Sequence, residues 1–148
     1  MPNHDYETQL RQQVLLETHN RVKQQAKKFV YVTVQKEGYH CFPEAATDPQ
    51  FATGDKYDVS HLASRHFHYF YIKVWVEVTH SNRSIEFIQL RRWIDELYGE
   101  GVLSLDNASC EMIAENLYDQ IAERYPGREV RIDVSEDNIN GALIEFKR

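Results

Sequence analysis

The chain has 148 residues, with 17 Lys and Arg against 23 Asp and Glu, so its formal net charge is −6 at pH 7. Hydrophobic residues make up 42% and charged residues 27% of the chain, which predicts a globular domain, and the acidic balance excludes a general nucleic-acid-binding surface. No apolar run is long enough to cross a membrane, and only two cysteines with a polar start predict a cytoplasmic protein without a signal peptide.

The first predicted element is a helix over residues 5–27, where apolar residues recur near helical spacing among good helix formers. Its apolar stripe is thin, which is typical of a surface helix or an oligomer contact. A β-branched and aromatic strand follows over residues 29–35. We therefore divide the chain into an N-terminal helical extension, residues 1–28, and a domain, residues 29–148.

The strongest strand pattern covers residues 66–79, where apolar side chains alternate with aromatic and charged ones. Before it, residues 37–64 show no period, and an irregular stretch of this length is typical of a functional or mobile segment. The remaining pattern predicts two helices over 86–98 and 110–125, a strand over 130–134, a turn over 137–141 and a strand over 142–146.

Three histidines stand where two neighbouring strands would bring them together. His66 and His68 are two residues apart on a strand, so their side chains share its apolar face. His40 follows the first strand, and antiparallel pairing of the two strands would return it to the neighbourhood of His66. Three imidazoles with an open fourth position are the ligand set of catalytic zinc. The alternative is a group of packed, hydrogen-bonded histidines without a metal.

The order of these elements and motifs resembles the 6-pyruvoyl-tetrahydropterin synthase and 6-carboxy-tetrahydropterin synthase family, from about Phe29 to Phe146. The family's zinc histidines, one after the first strand and an H-G-H on the second, match Gly38-Tyr-His40 and His66-Phe-His68. Its I-D-F-x-x-L and T-S-E blocks are similar to Ile85-Glu-Phe-Ile-Gln-Leu90 and Ser109-Cys-Glu111. The resemblance implies an α+β tunnelling fold, a ββααββ antiparallel sheet with two helices on one face, here preceded by an extra helix.

The same resemblance implies a zinc-dependent carbon–oxygen lyase that acts on a dihydroneopterin triphosphate-like substrate. It implies a homo-oligomer, a hexamer or similar ring, with sites between subunits and a pterin- or purine-like ligand, and we expect no nucleic-acid or membrane partner. Zn²⁺ would be the cofactor of the three histidines. Glu136 matches the glutamate that anchors the pterin ring, and Glu111 and Ser109 would assist it. Glu111 and Ser109 also have ordinary roles at a helix start, in the helix dipole and the N-cap.

The family's catalytic cysteine and the histidine of its Asp-His pair have no counterpart here. Residues 58–65 contain no cysteine, and Asp106 is not followed by a histidine. Cys41 beside a proposed ligand and Cys110 at a helix start, where a thiol pKa can be lowered, are possible substitutes, and His61 is a spare acid–base group. Inert thiols are the alternative. The chain is therefore either such an enzyme with altered chemistry or a catalytically degenerate protein that binds or sequesters a pterin, purine or nucleotide.

Overall fold

Three helices and a five-stranded mixed open sheet form an α+β fold in the computed structural model, which describes residues 4–148. The strands lie in the order β3-β1-β2-β4-β5. In chain order the elements are α1 (His4–Gln25), β1 (Lys28–His40), β2 (His66–Val78), α2 (Phe87–Tyr98), β3 (Leu103–Ser104), α3 (Cys110–Arg124), β4 (Val130–Glu136) and β5 (Asn140–Phe146).

The helices and the four long strands correspond to the predicted elements, and β1 continues five residues further than predicted, to His40. The sheet is not wholly antiparallel as predicted. The short strand β3 pairs in parallel with Gly38 and Tyr39 of β1, which makes the sheet mixed. Two residues are too few to produce a periodic pattern, so β3 leaves no signal in the sequence.

The hydrophobic core lies between one face of the sheet and helices α2 and α3. Apolar side chains at every second position of β1, β2 and β4 supply the sheet's contribution, and α2 packs against β1 while α3 packs against β4 and β5. Both helices begin at a side-chain cap: Glu86 accepts from two backbone N–H groups, and Ser109 accepts from the N–H of Met112. The Ser109 cap fixes where α3 starts, next to the ends of β1 and β4.

The β4–β5 turn is tighter than the predicted turn over residues 137–141. It spans Asp137–Ile139, with Asp137 and Asn138 at φ of 55° and 57°, and the N–H of Ile139 donates to the carbonyl of Glu136 at 3.0 Å. Asn140 and Gly141 already belong to β5. A Cβ on Gly141 would clash with the backbone of β4, so this glycine is required by close strand packing rather than by the turn.

Helix α1 has no buried residue, whereas the domain that follows it is well packed. Its five large aliphatic side chains are 49–69% exposed. Within residues 4–148, no helix combines the length and the apolarity needed to span a membrane.

Candidate metal centre

The antiparallel register of β1 and β2 brings the three predicted histidines together. His40 lies directly opposite His66, and the residue opposite His68 is Gly38. The potential ligand atoms of the three histidines all lie within 4.8 Å of one another. His40 is buried, and His66 and His68 are half-buried. Two histidines on one face of β2, and a third opposite them at the end of β1, therefore form a compact group of three imidazoles.

Each of the three imidazole rings is held through its Nδ1 atom. A carbonyl or carboxylate oxygen can only accept, so each Nδ1 carries a proton, and in the neutral form of such a ring the lone pair lies on Nε2, away from that contact. Outer partners of this kind orient histidines that bind metals. The acceptors are the carbonyl of Ala108 for His40 at 2.8 Å, the carbonyl of Ser64 for His66 at 2.7 Å, and Asp137 Oδ2 for His68 at 2.6 Å.

The Nε2 atoms of His40 and His68 are buried and have no hydrogen-bond partner among residues 4–148. Buried polar atoms without a partner are rare and costly in folded proteins. A divalent cation bound between these nitrogens would satisfy both, and imidazole is a preferred ligand of zinc and of other first-row transition metals. The donor set and its unpartnered atoms therefore fit a bound metal ion.

The carboxylate of Glu136 lies against the same two nitrogens. Its Oε1 is 3.2 Å from Nε2 of His40, and its Oε2 is 3.3 Å from Nε2 of His68. Within the described residues, neither nitrogen meets Glu136 at the angles of a direct hydrogen bond. The nearby Glu136 carboxylate raises the pKa of His40, and His40 in turn lowers the pKa of Glu136. Negative charge is thus concentrated where the two imidazole lone pairs converge.

A cavity of about 460 Å³ opens beside this cluster. Its volume lies in the range of pockets that hold small molecules. His40, His66 and Glu136 line one wall, and the rest of the lining comes from the β1–β2 connection, the start of α3 and the start of β5. A small molecule in this cavity would therefore meet the histidine cluster directly.

Most of the other predicted site residues line this cavity, but two do not. Cys41, Ser109, Cys110 and Glu111 are part of the lining; Ser109 also caps α3 as predicted. The exposed side chain of Asp106 lines a neighbouring cavity between α2 and α3, and only its carbonyl, which accepts from the N–H of Cys41 at 2.8 Å, points back to the site. His61 is exposed on a short 3₁₀ turn and does not line the cavity.

Cys110 lies at the start of α3, where the helix dipole would lower a thiol pKa, but its pKa is raised. Burial raises the pKa of its thiol to about 12, and the charges of Glu136 and Glu111 add to the effect. Its Sγ is 3.9 Å from Glu136 Oε1. Desolvation and nearby carboxylates therefore outweigh the helix dipole, and the thiol is protonated at neutral pH.

Asp137 is a site residue that the sequence reasoning missed. Its Oδ2 accepts from Nδ1 of His68, and its Oδ1 accepts from the backbone N–H of Tyr69 at 2.9 Å. The register of β2 and β4, which pairs Phe70 with Glu136, places the residue that follows β4 beside His68. A prediction of that register would have found Asp137, whereas the carbonyls of Ala108 and Ser64 leave no signal in side-chain types.

No protein-family model matches the chain, and a comparison with curated proteins finds no match either. The functional argument therefore depends on the geometry of the histidine cluster and its cavity, together with the motifs in the sequence.

Proposed function

We propose that the chain is a zinc-dependent carbon–oxygen lyase of the tetrahydropterin synthase type, acting on a dihydroneopterin triphosphate-like substrate. The observation that carries the proposal is the convergence of three tautomerically fixed histidines, two with buried and unpartnered Nε2 atoms, at the wall of a cavity. The resemblance in the sequence supplies the reaction type. As part of the same proposal, β1, β2, α2, α3, β4 and β5 form the tunnelling-fold core, and α1 and β3 are additions to it.

The proposed roles follow from where each side chain lies. A metal ion held by His40, His66 and His68 would polarise oxygen atoms of the substrate and acidify an adjacent C–H group. Glu111 presents an exposed carboxylate to the cavity, where it can accept hydrogen bonds from a ring N–H. The Ser109 oxygen accepts from a backbone N–H, so its own proton stays available for a ligand acceptor.

The proton-transfer group of this enzyme would come from a cysteine on the cavity wall. Cys41 is half-buried there, at the end of β1 and directly after the metal-binding His40. Its N–H is fixed by the carbonyl of Asp106, which holds the residue in place. Cys110 is less suited, because burial keeps its thiol protonated.

A second candidate function is a protein that binds or sequesters a pterin, purine or nucleotide without chemistry. It is favoured by the raised pKa of Cys110 and by the positions of Asp106 and His61 outside the cavity. Such a site would keep its ligand pocket and its metal while lacking an efficient general base.

The test combines metal analysis, ligand binding and turnover on protein purified without added metal. We expect about one zinc per chain, binding of neopterin, and release of triphosphate from dihydroneopterin triphosphate, all lost in a His66→Ala, His68→Ala double variant. His61→Ala is the matched control, because this histidine is exposed and lies outside the cavity. Binding without turnover would favour the second function, and zinc content unchanged in the double variant would contradict the metal centre.

A further inference from the structure

Glu136 occupies a position that the three-histidine description does not explain. It ends β4 opposite Phe70 of β2, and the Phe70 ring packs edge-on against the rings of His40 and His68. Glu136 lies on the same face of β4 as the buried Ile132 and Val134, because the three residues occupy every second position of the strand. The sheet itself therefore directs the carboxylate into the histidine cluster.

The distances at Glu136 correspond to those between two ligands of one metal ion. Two atoms bound to a tetrahedral zinc ion at 2.0–2.1 Å lie about 3.3 Å apart. The observed separations are 3.2 Å from Oε1 to Nε2 of His40 and 3.3 Å from Oε2 to Nε2 of His68. One carboxylate thus stands at ligand-to-ligand distance from two imidazoles at once.

These contacts lack the geometry of direct hydrogen bonds. In each of the two rings Nδ1 donates to Ala108 or Asp137, and within the described residues neither Nε2 meets Glu136 at hydrogen-bond angles. A bound cation would attract both imidazole nitrogens and the carboxylate, which accounts for their close approach.

We propose that Glu136 is a fourth metal ligand, so that the centre consists of His40, His66, His68 and Glu136. The inference depends on the proposed metal centre, and it replaces the ring-anchoring role that the resemblance implies for Glu136. A fourth protein ligand closes the position that is open in catalytic zinc sites. A substrate oxygen must then displace the carboxylate or expand the coordination, and recognition of a ring N–H edge falls to Glu111, which lines the cavity without contacting the imidazole nitrogens.

The test compares metal binding by wild type, Glu136→Gln and Glu111→Gln. The control removes a carboxylate from the same cavity, at a residue that makes no ion pair with the histidines in the described part of the chain. We expect Glu136→Gln to weaken Co²⁺ and Zn²⁺ binding at least about tenfold. Loss of a residue that only orients a metal ligand already weakens metal binding by about 10–100-fold, and loss of a ligand should cost no less. The visible spectrum of the Co²⁺ protein should change in Glu136→Gln and stay unchanged in Glu111→Gln.

Unchanged metal affinity and an unchanged Co²⁺ spectrum in Glu136→Gln, together with weaker neopterin binding, would overturn the inference and restore the ring-anchoring role. A crystal structure of the wild-type zinc form provides a test that needs no variant. A Glu136 oxygen about 2.0–2.2 Å from the zinc ion supports the inference, and one beyond about 3 Å overturns it. Failure of the proposed reaction is seen separately, as absent turnover by a protein that still binds zinc through all four residues.

Discussion

At the scale of single residues, the site is defined as much by what holds the histidines as by the histidines themselves. Two backbone carbonyls and one carboxylate fix the three Nδ1 atoms. Asp137 is the one side chain among these acceptors, so it is the one that a substitution can remove. Its second oxygen is fixed by the N–H of Tyr69, which leaves the first oxygen aimed at His68.

We predict that Asp137→Asn weakens zinc binding about 10–100-fold, the usual effect of losing an outer partner of a metal ligand. His68 and the N–H of Tyr69 each donate to a different oxygen of Asp137. In asparagine one of these oxygens is an NH₂ group, so one of the two N–H groups would face a donor. Zinc affinity is measured by competition with a chelator. Asp133→Asn is the control, since Asp133 lies on the opposite face of β4 from Val134. Equal zinc affinities for wild type and Asp137→Asn would contradict a positioning role.

The parts of the site that could be predicted from sequence are those that depend on residues close together along the chain. The parity of His66 and His68 and the position of His40 after a strand are short-range patterns, and they predicted the cluster correctly in space. The raised pKa of Cys110 has no signal in the local sequence, because it depends on burial and on Glu136, a partner 26 residues away along the chain. Glu136 on β4 contacts His68 on β2 and His40 on β1 because β2 lies between β1 and β4 in the sheet. No local sequence pattern specifies that strand order.

At the scale of elements, the long segments were predicted, whereas the short strand β3 and the last residues of β1 were not. The end of β1 was missed because Lys36 interrupts the apolar row that Val32 and Val34 begin. Lys36 is nevertheless buried, since its Nζ pairs with Asp95 at 2.7 Å and donates to the carbonyl of Gly99 at 2.9 Å. Its partners lie on α2 and just after it, so only the tertiary structure explains a lysine in a strand that faces the core.

We predict that Gly141→Ala destabilises the protein by about 1–3 kcal/mol, the usual cost of forcing an extra methyl group into a packed site. The new Cβ would meet the backbone of Val134 and Ser135, which cannot move aside as a flexible side chain can. Leu143→Ala on the same strand is the control, because Leu143 is 54% exposed and little is lost on truncation. Chemical denaturation measures both, and a Gly141→Ala protein as stable as wild type would contradict this account of the hairpin.

The β1–β2 connection contains an aspartate whose charge organises the loop beside the cavity. The Ser60 hydroxyl, together with the N–H groups of Gly54 and Ser60, lowers the pKa of Asp58 to about 2. A carboxylate with a lowered folded-state pKa stabilises the fold above its unfolded value of 3.8, and this contribution disappears as the pH falls through about 2.

We therefore predict that Asp58→Ala lowers the melting temperature at neutral pH and that the gap to wild type narrows between about pH 4 and pH 2. Thermal unfolding followed by circular dichroism at several pH values provides the measurement. Asp48→Ala, which removes a loop aspartate with a single bond to the N–H of Gln50, should show a smaller gap. A gap that is constant down to pH 2 would contradict an ionised cap.

At the scale of the whole molecule, the described surface offers several places for a second copy of the chain. The pairing of β3 with β1 involves only Gly38 and Tyr39, so most of the outer edge of β1 has no strand partner in the described part of the chain, and β5 is the outermost strand at the other end of the sheet. The sheet face opposite the core carries exposed aromatic side chains, among them Tyr31 and Tyr69. Uncovered strand edges and exposed apolar groups are features that natural proteins usually cover by association.

The last prediction is that the chain forms a homo-oligomer in which α1 takes part. A helix of 22 residues with no buried side chain gains little from its own domain, and in proteins most of the stability of a helix comes from tertiary packing. Packing of its exposed Leu10, Val14 and Leu15 against another copy would supply the missing stabilisation. Light scattering after size exclusion, at micromolar concentration, should give a mass of several chains, and removal of residues 1–26 should lower it while leaving zinc content unchanged. A wild-type monomer under these conditions would contradict the homo-oligomer, and an unchanged mass after truncation would exclude α1 from the contact.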